Sequence, residues 1–224
     1  MDAPGCVLKY LCCAIGLLIS LGALADPGSF EQQCARLSRE AKVEVLYEDV
    51  QIAWNDRLSI QQLKRMSNLS ANSFHNILGV THAEPAVSLA SDARILVAAD
   101  GRACAVPNLT IRLGFKALTV YLAHDIPGDC RRRIVAAHEQ EHVAVWRDHY
   151  RAGARLMQTR LQAVAGKTFH AASKDALESE MKSRVEGEVA SLLTALYEGA
   201  VAANRHIDSP ASYRRVADQM RGCP

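Results

Sequence analysis

The sequence contains no Cys-x-x-Cys pair, which removes both the thiolate zinc knuckle and the thioredoxin-like redox motif from consideration. It has almost no net charge, +2 at neutral pH, and its one basic run, Arg131 to Arg133, is read as a solvated face at a helix start. Neither nucleic acid nor an anionic membrane is therefore implied as a partner. After the first 25 residues no apolar run of membrane-spanning length occurs. There is no internal repeat and no low-complexity tract, and no proline between Pro127 and Pro210, so long helices are permitted there.

What the chain does contain begins with Lys9, an apolar run from Tyr10 to Leu24, and the small-residue pattern Ala23-Leu24-Ala25 before Asp26. That order is expected of a secretory signal peptide, residues 1–25, cleaved after Ala25. The run holds roughly 15 residues against the about 20 a spanning helix needs, so no stable membrane anchor is expected after cleavage. The mature protein is expected in the periplasm or outside the cell. Four cysteines remain, Cys34, Cys104, Cys130 and Cys223, which in an oxidising compartment imply two disulfides and allow three pairings.

The remainder reads as one α+β domain, residues 26–224, in two halves. In 26–127 a helix is expected over Phe30 to Ala41, a short one over Ser59 to Met66, and β-rich stretches at Val43 to Ala53 and Ile95 to Ala98. Strands at Asn108 to Leu113 and Ala117 to Ala123 flank Gly114-Phe115-Lys116 and are expected to form a hairpin in a small antiparallel sheet. Gly79 to Pro85 reads as a loop. In 128–224, Asp129 is placed to cap a long helix and Ser173 a second one, which together make a long antiparallel helix pair. Ser209-Pro210 starts a short last helix. With the hairpin centred near Gly114, Cys104 and Cys130 lie near its open ends and could meet, leaving Cys34 to Cys223; the other two pairings stay open.

Within the first long helix stands His138-Glu139-Gln140-Glu141-His142. Four residues are just over one helical turn, a rise of about 6 Å, so both imidazoles leave one face and can converge on one ion. Zinc accepts nitrogen ligands and leaves a position open for water in catalytic sites. Glu139 can reach that water without binding the metal and serve as general base. The motif resembles the zincin signature, and that resemblance implies a third ligand, a glutamate from the helix that follows. His149 lies about 10 Å further along the same helix, too far to share the ion. With the second helix folded back about Gly166 to Ala172, Glu198 falls opposite His138 and Glu188 opposite His149. Glu198 is therefore the first choice as ligand and Glu188 the second. The same resemblance implies a donor to the reacting carbonyl, for which His206, Tyr197 and Tyr213 are candidates, with His206 preferred.

His138-Glu139-x-x-His142 resembles the signature of the zincin metallopeptidases, and the sheet followed by the motif helix is similar to the core of that clan, over Asn108 to Ala203. Its long second helix with a downstream glutamate is gluzincin-like, and the chain also resembles small secreted bacterial zinc proteases. The resemblance implies a Zn2+ cofactor, a peptide or protein substrate, and Ala117 to Ala123 as the strand against which that substrate lies. Glu141 departs from the family pattern, which places uncharged residues between the motif's Glu and second His. The alternative is a non-catalytic zinc-binding or cell-envelope interaction protein on the same scaffold. Glu139 discriminates, because ligands suffice for binding whereas hydrolysis needs the base.

Overall fold

The computed structural model describes residues 28–67 and 77–224, so the signal-peptide reading lies outside the described residues. The elements in order are α1 (Phe30–Leu37) with a 3-10 turn (Ser38–Glu40), β1 (Lys42–Glu48), β2 (Ala53–Asn55), α2 (Ile60–Met66), β3 (Gly79–Val97) and β4 (Ala103–Leu122). Then come α3 (Asp129–Ala165), β5 (Phe169–Ala171), α4 (Lys174–Ile207) and α5 (Pro210–Arg221). The architecture is the expected α+β arrangement, with a sheet followed by an antiparallel helix pair. Among the described residues, no helix is long and apolar enough to cross a membrane.

Helix starts follow local chemistry. Ser29 and Ser59 close capping boxes with Gln32 and Gln62, and Ser173 and Ser209 accept from backbone N–H groups three residues on. α3 differs from expectation: its cap is Gly128, at φ 79°, and Asp129 is already the first helical residue.

The sheet is mixed and built around β4. On one side β3 pairs antiparallel with β4 along nearly its whole length; on the other, β5, β1 and β2 pair in turn with Ala103–Ala105, Asn108–Gly114 and Thr119–Tyr121. The hairpin expected about Gly114 does not exist. Gly114 lies within the strand, where a Cβ would stand 2.2 Å from the Glu48 carbonyl oxygen of β1. Glycine is there for close approach of two backbones, not for a turn. The true turn is Ala98 to Arg102, where Gly101 takes φ 90° and the Ala98 N–H bonds the Arg102 carbonyl. Ala117 to Ala123 is consequently a central strand and not a substrate edge, and the segment read as a loop, Gly79 to Pro85, begins β3. Among the described residues β3 pairs only with β4, so β3 is one free edge of the sheet, opposite the broken edge made by β5, β1 and β2.

One face of the sheet carries the helix pair. Leu109 and Ile111 of β4 pack with Met157 and Leu161 of α3 and with Val185 and Val189 of α4. Each fully buried side chain of this size contributes about 1.5–3 kcal/mol. Further along, Phe115 meets Trp146 and Tyr150 of α3. The disulfides are Cys34–Cys104 and Cys130–Cys223, which corrects the pairing suggested by the hairpin. The first fastens α1 to β4; the second fastens the chain end after α5 to the first turn of α3.

Candidate metal centre

The buried positions of α3 recur every three or four residues, and His138, Glu139 and His142 fall on that stripe. They are 8%, 4% and 7% exposed, so polar groups stand where apolar ones would otherwise pack. Such burial is costly without partners. The partners come from the other end of the helix pair.

His138 Nε2 lies 3.4 Å and His142 Nε2 3.1 Å from the same oxygen, Oδ1 of Asp208. Asp208 caps the C-terminus of α4 immediately before the cap of α5. Bonds of about 2.0–2.1 Å in a tetrahedral zinc site set ligand atoms about 3.3 Å apart, which is the spacing of these contacts. All three ligand atoms lie within 4.8 Å of one another. The histidines are buried while Asp208 is 43% exposed, so the cluster opens toward solvent on the carboxylate side.

The hydrogen bonds around His142 indicate that this arrangement suits a cation. Asn204 Nδ2 donates to the Ala200 carbonyl at 2.8 Å, which turns Asn204 Oδ1 toward His142 Nδ1, also at 2.8 Å. His142 Nδ1 therefore carries the proton, and in the neutral ring Nε2 faces Asp208 as a lone pair. Two acceptors at 3.1 Å require a positive charge at that place, either a proton or a metal ion. Burial opposes charge on His142, but Asp208 and Asn204 outweigh it and raise its pKa. Burial likewise pushes the Asp208 carboxyl up, yet hydrogen bonds from His138, His142 and Tyr213 hold it well below the ordinary range. The donor set of two imidazoles and one carboxylate fits zinc.

Glu139 is held beside this group by the edge strand. Thr81 Oγ1 donates to Glu139 Oε2 at 2.8 Å, and Gly79 leaves the room the carboxylate occupies, since a Cβ there would lie 2.6 Å from Oε1. Burial raises the Glu139 pKa above the usual carboxylate value, against the lowering effect of His142, Thr81 and His138. Tyr213 donates to Asp208 Oδ1 at 3.0 Å, with its ring 6.0 Å from that of His138.

Glu198 is not one of the three ligand groups. It is exposed on α4, ten residues before Asp208, a rise of about 15 Å. The two helices do not meet symmetrically about their connection. Gly199 faces His149, Leu196 faces Gly153, and Asn204 faces His142. The cause is β5, which joins the sheet beside Ala103 to Ala105 and makes the first turns of α4 overhang the end of α3, where Leu177 packs with Phe169. Glu188 is half-buried and pairs with Arg160, not with His149. His149 bonds its own helix at the Val145 carbonyl. His206 is exposed on the last turn of α4, and Tyr197 lies tilted against Trp146, ring centroids 6.0 Å apart. The unusual Glu141 pairs with Arg215 of α5 at 3.2 Å. Sequence reasoning missed Asp208, Asn204 and Thr81. Asn204 and Asp208 share the four-residue spacing of His138 and His142, a signal of two facing pairs that was there to be read.

Fold and cluster together define a zincin-like metal-binding site, a His-Glu-x-x-His helix completed by a third ligand from a following helix end. No protein-family model, no curated protein and no solved structure matches the chain.

Proposed function

We propose that this is an exported zinc-dependent peptidase, a single zincin-like domain with zinc held by His138, His142 and Asp208. The observation that carries the reading is the convergence of those three ligand atoms beside the buried carboxylate of Glu139. Zinc bound there would polarise a scissile carbonyl and make a water molecule acidic near neutral pH. Glu139 takes the proton from the attacking water and passes it to the leaving amine. Its Oε1 is the working oxygen, because Thr81 engages Oε2. The raised pKa of Glu139 suits a group that must both accept and return a proton. Tyr213, whose hydroxyl donates to Asp208 Oδ1 and whose ring lies beside His138, would serve as donor to the reacting carbonyl by turning that hydroxyl from Asp208, in place of His206. A peptide extended along the free edge of β3 at Gly79 to Ala83 would pass Glu139, which supports β3 as the strand that aligns substrate. Two disulfides and the leader-like residues 1–25 support an extracytoplasmic location.

The test is zinc content together with hydrolysis of an unfolded protein substrate. Stoichiometric zinc is expected in the wild type and in Glu139→Gln, and little in Asp208→Ala, with hydrolysis by Glu139→Gln at least a hundredfold slower. Wild type that binds no zinc ends the reading. Wild type that binds zinc without hydrolysis leaves the non-catalytic zinc-binding alternative in its place.

A further inference from the structure

We infer that the distal half of β3 and the groove beneath it form a docking site for an extended segment of the polypeptide substrate, remote from the metal centre. This rests on the peptidase reading and specifies the kind of substrate: a long unfolded chain with alternating apolar side chains and basic residues among them.

Two independent features meet there. The first is the free edge itself. β3 spans 19 residues, and among the described residues its outer edge has no strand beside it. A free edge offers backbone N–H and C=O groups to any extended chain. The second is a groove of about 340 Å³ between β3 and α4. Its floor includes Leu89, Ile95, Met181 and Val185, all on the helix side of the sheet. An added strand would lie about 4.8 Å from β3, and every second side chain would point to that same side, over the groove. The edge fixes the backbone of the guest, and the groove receives its alternate side chains.

The charges around the groove narrow the guest. Asp92, Glu178 and Glu186 line it with Lys182. Glu186 pairs with Lys182 and Glu178 with Lys174 in exposed ion pairs, while Asp92 meets, among the described residues, only the Asn108 amide, so the groove keeps an acidic surplus that favours a basic segment. The position of the groove on the strand selects the occupant. β3 passes Glu139 at Thr81 and reaches the groove at Leu89, eight residues later, roughly 25 Å along the strand. A polypeptide lying along β3 can occupy the groove and the metal centre together. The irregularity at Glu84/Pro85 separates the two stretches, so each can be occupied by itself. Short peptides reach only the first, whereas long chains gain from both.

The experiment uses the mature protein in EDTA, so that docking is read independently of zinc and of turnover. The probe is a fluorescein-labelled 14-residue peptide in which every second residue is threonine and the residues between are valine and lysine in turn, so that one face of the strand brings both to the groove; binding is followed by anisotropy. Binding is expected, and should weaken at least tenfold when two central residues of the probe are proline or when its lysines are replaced by aspartate. Ser91→Arg, an exposed position lining the groove, and the double variant Glu178→Lys/Glu186→Lys on the exposed face of α4 should each weaken binding at least tenfold. The double variant tests the site even where Ser91→Arg disturbs the strand. No binding to wild type, or equal binding of the proline probe and by both variants, overturns the proposal. So does sedimentation showing that wild type is a dimer which Ser91→Arg dissociates, since a second copy would then be the occupant. Absence of zinc from the protein would defeat the peptidase reading and leave this binding result unchanged.

Discussion

At the scale of single residues the site depends on one amide. Asn204 touches nothing that reacts, but it fixes which nitrogen of His142 carries the proton, and so presents Nε2 with its lone pair free. Outer partners of this kind are worth about 10–100-fold in metal affinity. Asn204→Ala is therefore expected to weaken zinc binding by about that factor, measured against a chromogenic chelator, while Asn204→Asp, which keeps the acceptor, should retain most of it. Glu139 gives a prediction about stability in the metal-free protein. Its folded pKa is raised by burial above the unfolded value of about 4.3. Below the unfolded pKa the carboxyl is neutral in both states and its favourable contribution is complete. As pH rises through the folded pKa, the buried group must ionise and that contribution is lost. Glu139→Gln stays neutral and keeps an acceptor for Thr81. In EDTA it should unfold at a higher urea midpoint than wild type at pH 7, with the gap closing toward pH 4. A constant gap at both pH values would show that charge is not its cause.

At the scale of elements, two glycines mark close approaches of different tolerance. A Cβ at Gly114 would meet the backbone oxygen of Glu48, which can move only if β1 leaves its register beside β4. A Cβ at Gly153 would meet the methyl groups of Leu196 at 2.5 and 2.8 Å, the free end of a half-buried side chain that can rotate. Gly114→Ala should destabilise the protein by about 3 kcal/mol. Gly153→Ala should stay within about 1 kcal/mol of wild type, because its better helix propensity offsets the displaced leucine. Equal midpoints in denaturant would refute the distinction. The same contrast explains what could be read from the sequence. The caps at Ser173 and Ser209 and the helical periodicity are local signals, and they located α4 and α5 closely, while α1 was expected to run on to Ala41 and ends at Leu37. Gly114 carries no local sign of whether it serves a turn or a crowded strand pair, and one misjudged glycine split β4 into two strands, misplaced the true turn at Gly101, and shifted the free edge from β3. The motif helix was legible because its chemistry lies within five consecutive residues. Asp208 was not, because the offset between α3 and α4 is set by the three residues of β5, which pair with a strand more than sixty positions earlier.

At the scale of the whole molecule, the third ligand stands at a corner between two helices, and such a corner is only as well placed as the helix beyond it. α5 is tied back to α3 by Arg215 to Glu141, by the ring of Tyr213 against that of His138, and by the Cys130–Cys223 disulfide. The exposed ion pair alone contributes at most about 1 kcal/mol, so the covalent link dominates. The two disulfides can be compared directly. Their sequence separations are 70 for Cys34–Cys104 and 93 for Cys130–Cys223, and loop entropy grows only with the logarithm of length. Each accordingly stabilises the fold by a similar amount, about 4–5 kcal/mol in the chain-entropy account. Their effects on the metal centre should differ. Cys34→Ser/Cys104→Ser loosens α1 from β4, on the sheet face away from the helix pair, and leaves Asp208 in place. Cys130→Ser/Cys223→Ser frees the end of α5 and lets the corner carrying Asp208 move relative to His138 and His142. Both double variants are expected to show similar losses of stability in EDTA. Zinc affinity should fall at least tenfold only in the second pair, because a carboxylate displaced by even 1 Å no longer matches a ligand distance of about 2.0–2.2 Å. Similar zinc affinities in two equally destabilised variants would mean that α4 alone positions Asp208, and would assign the second disulfide to stability only.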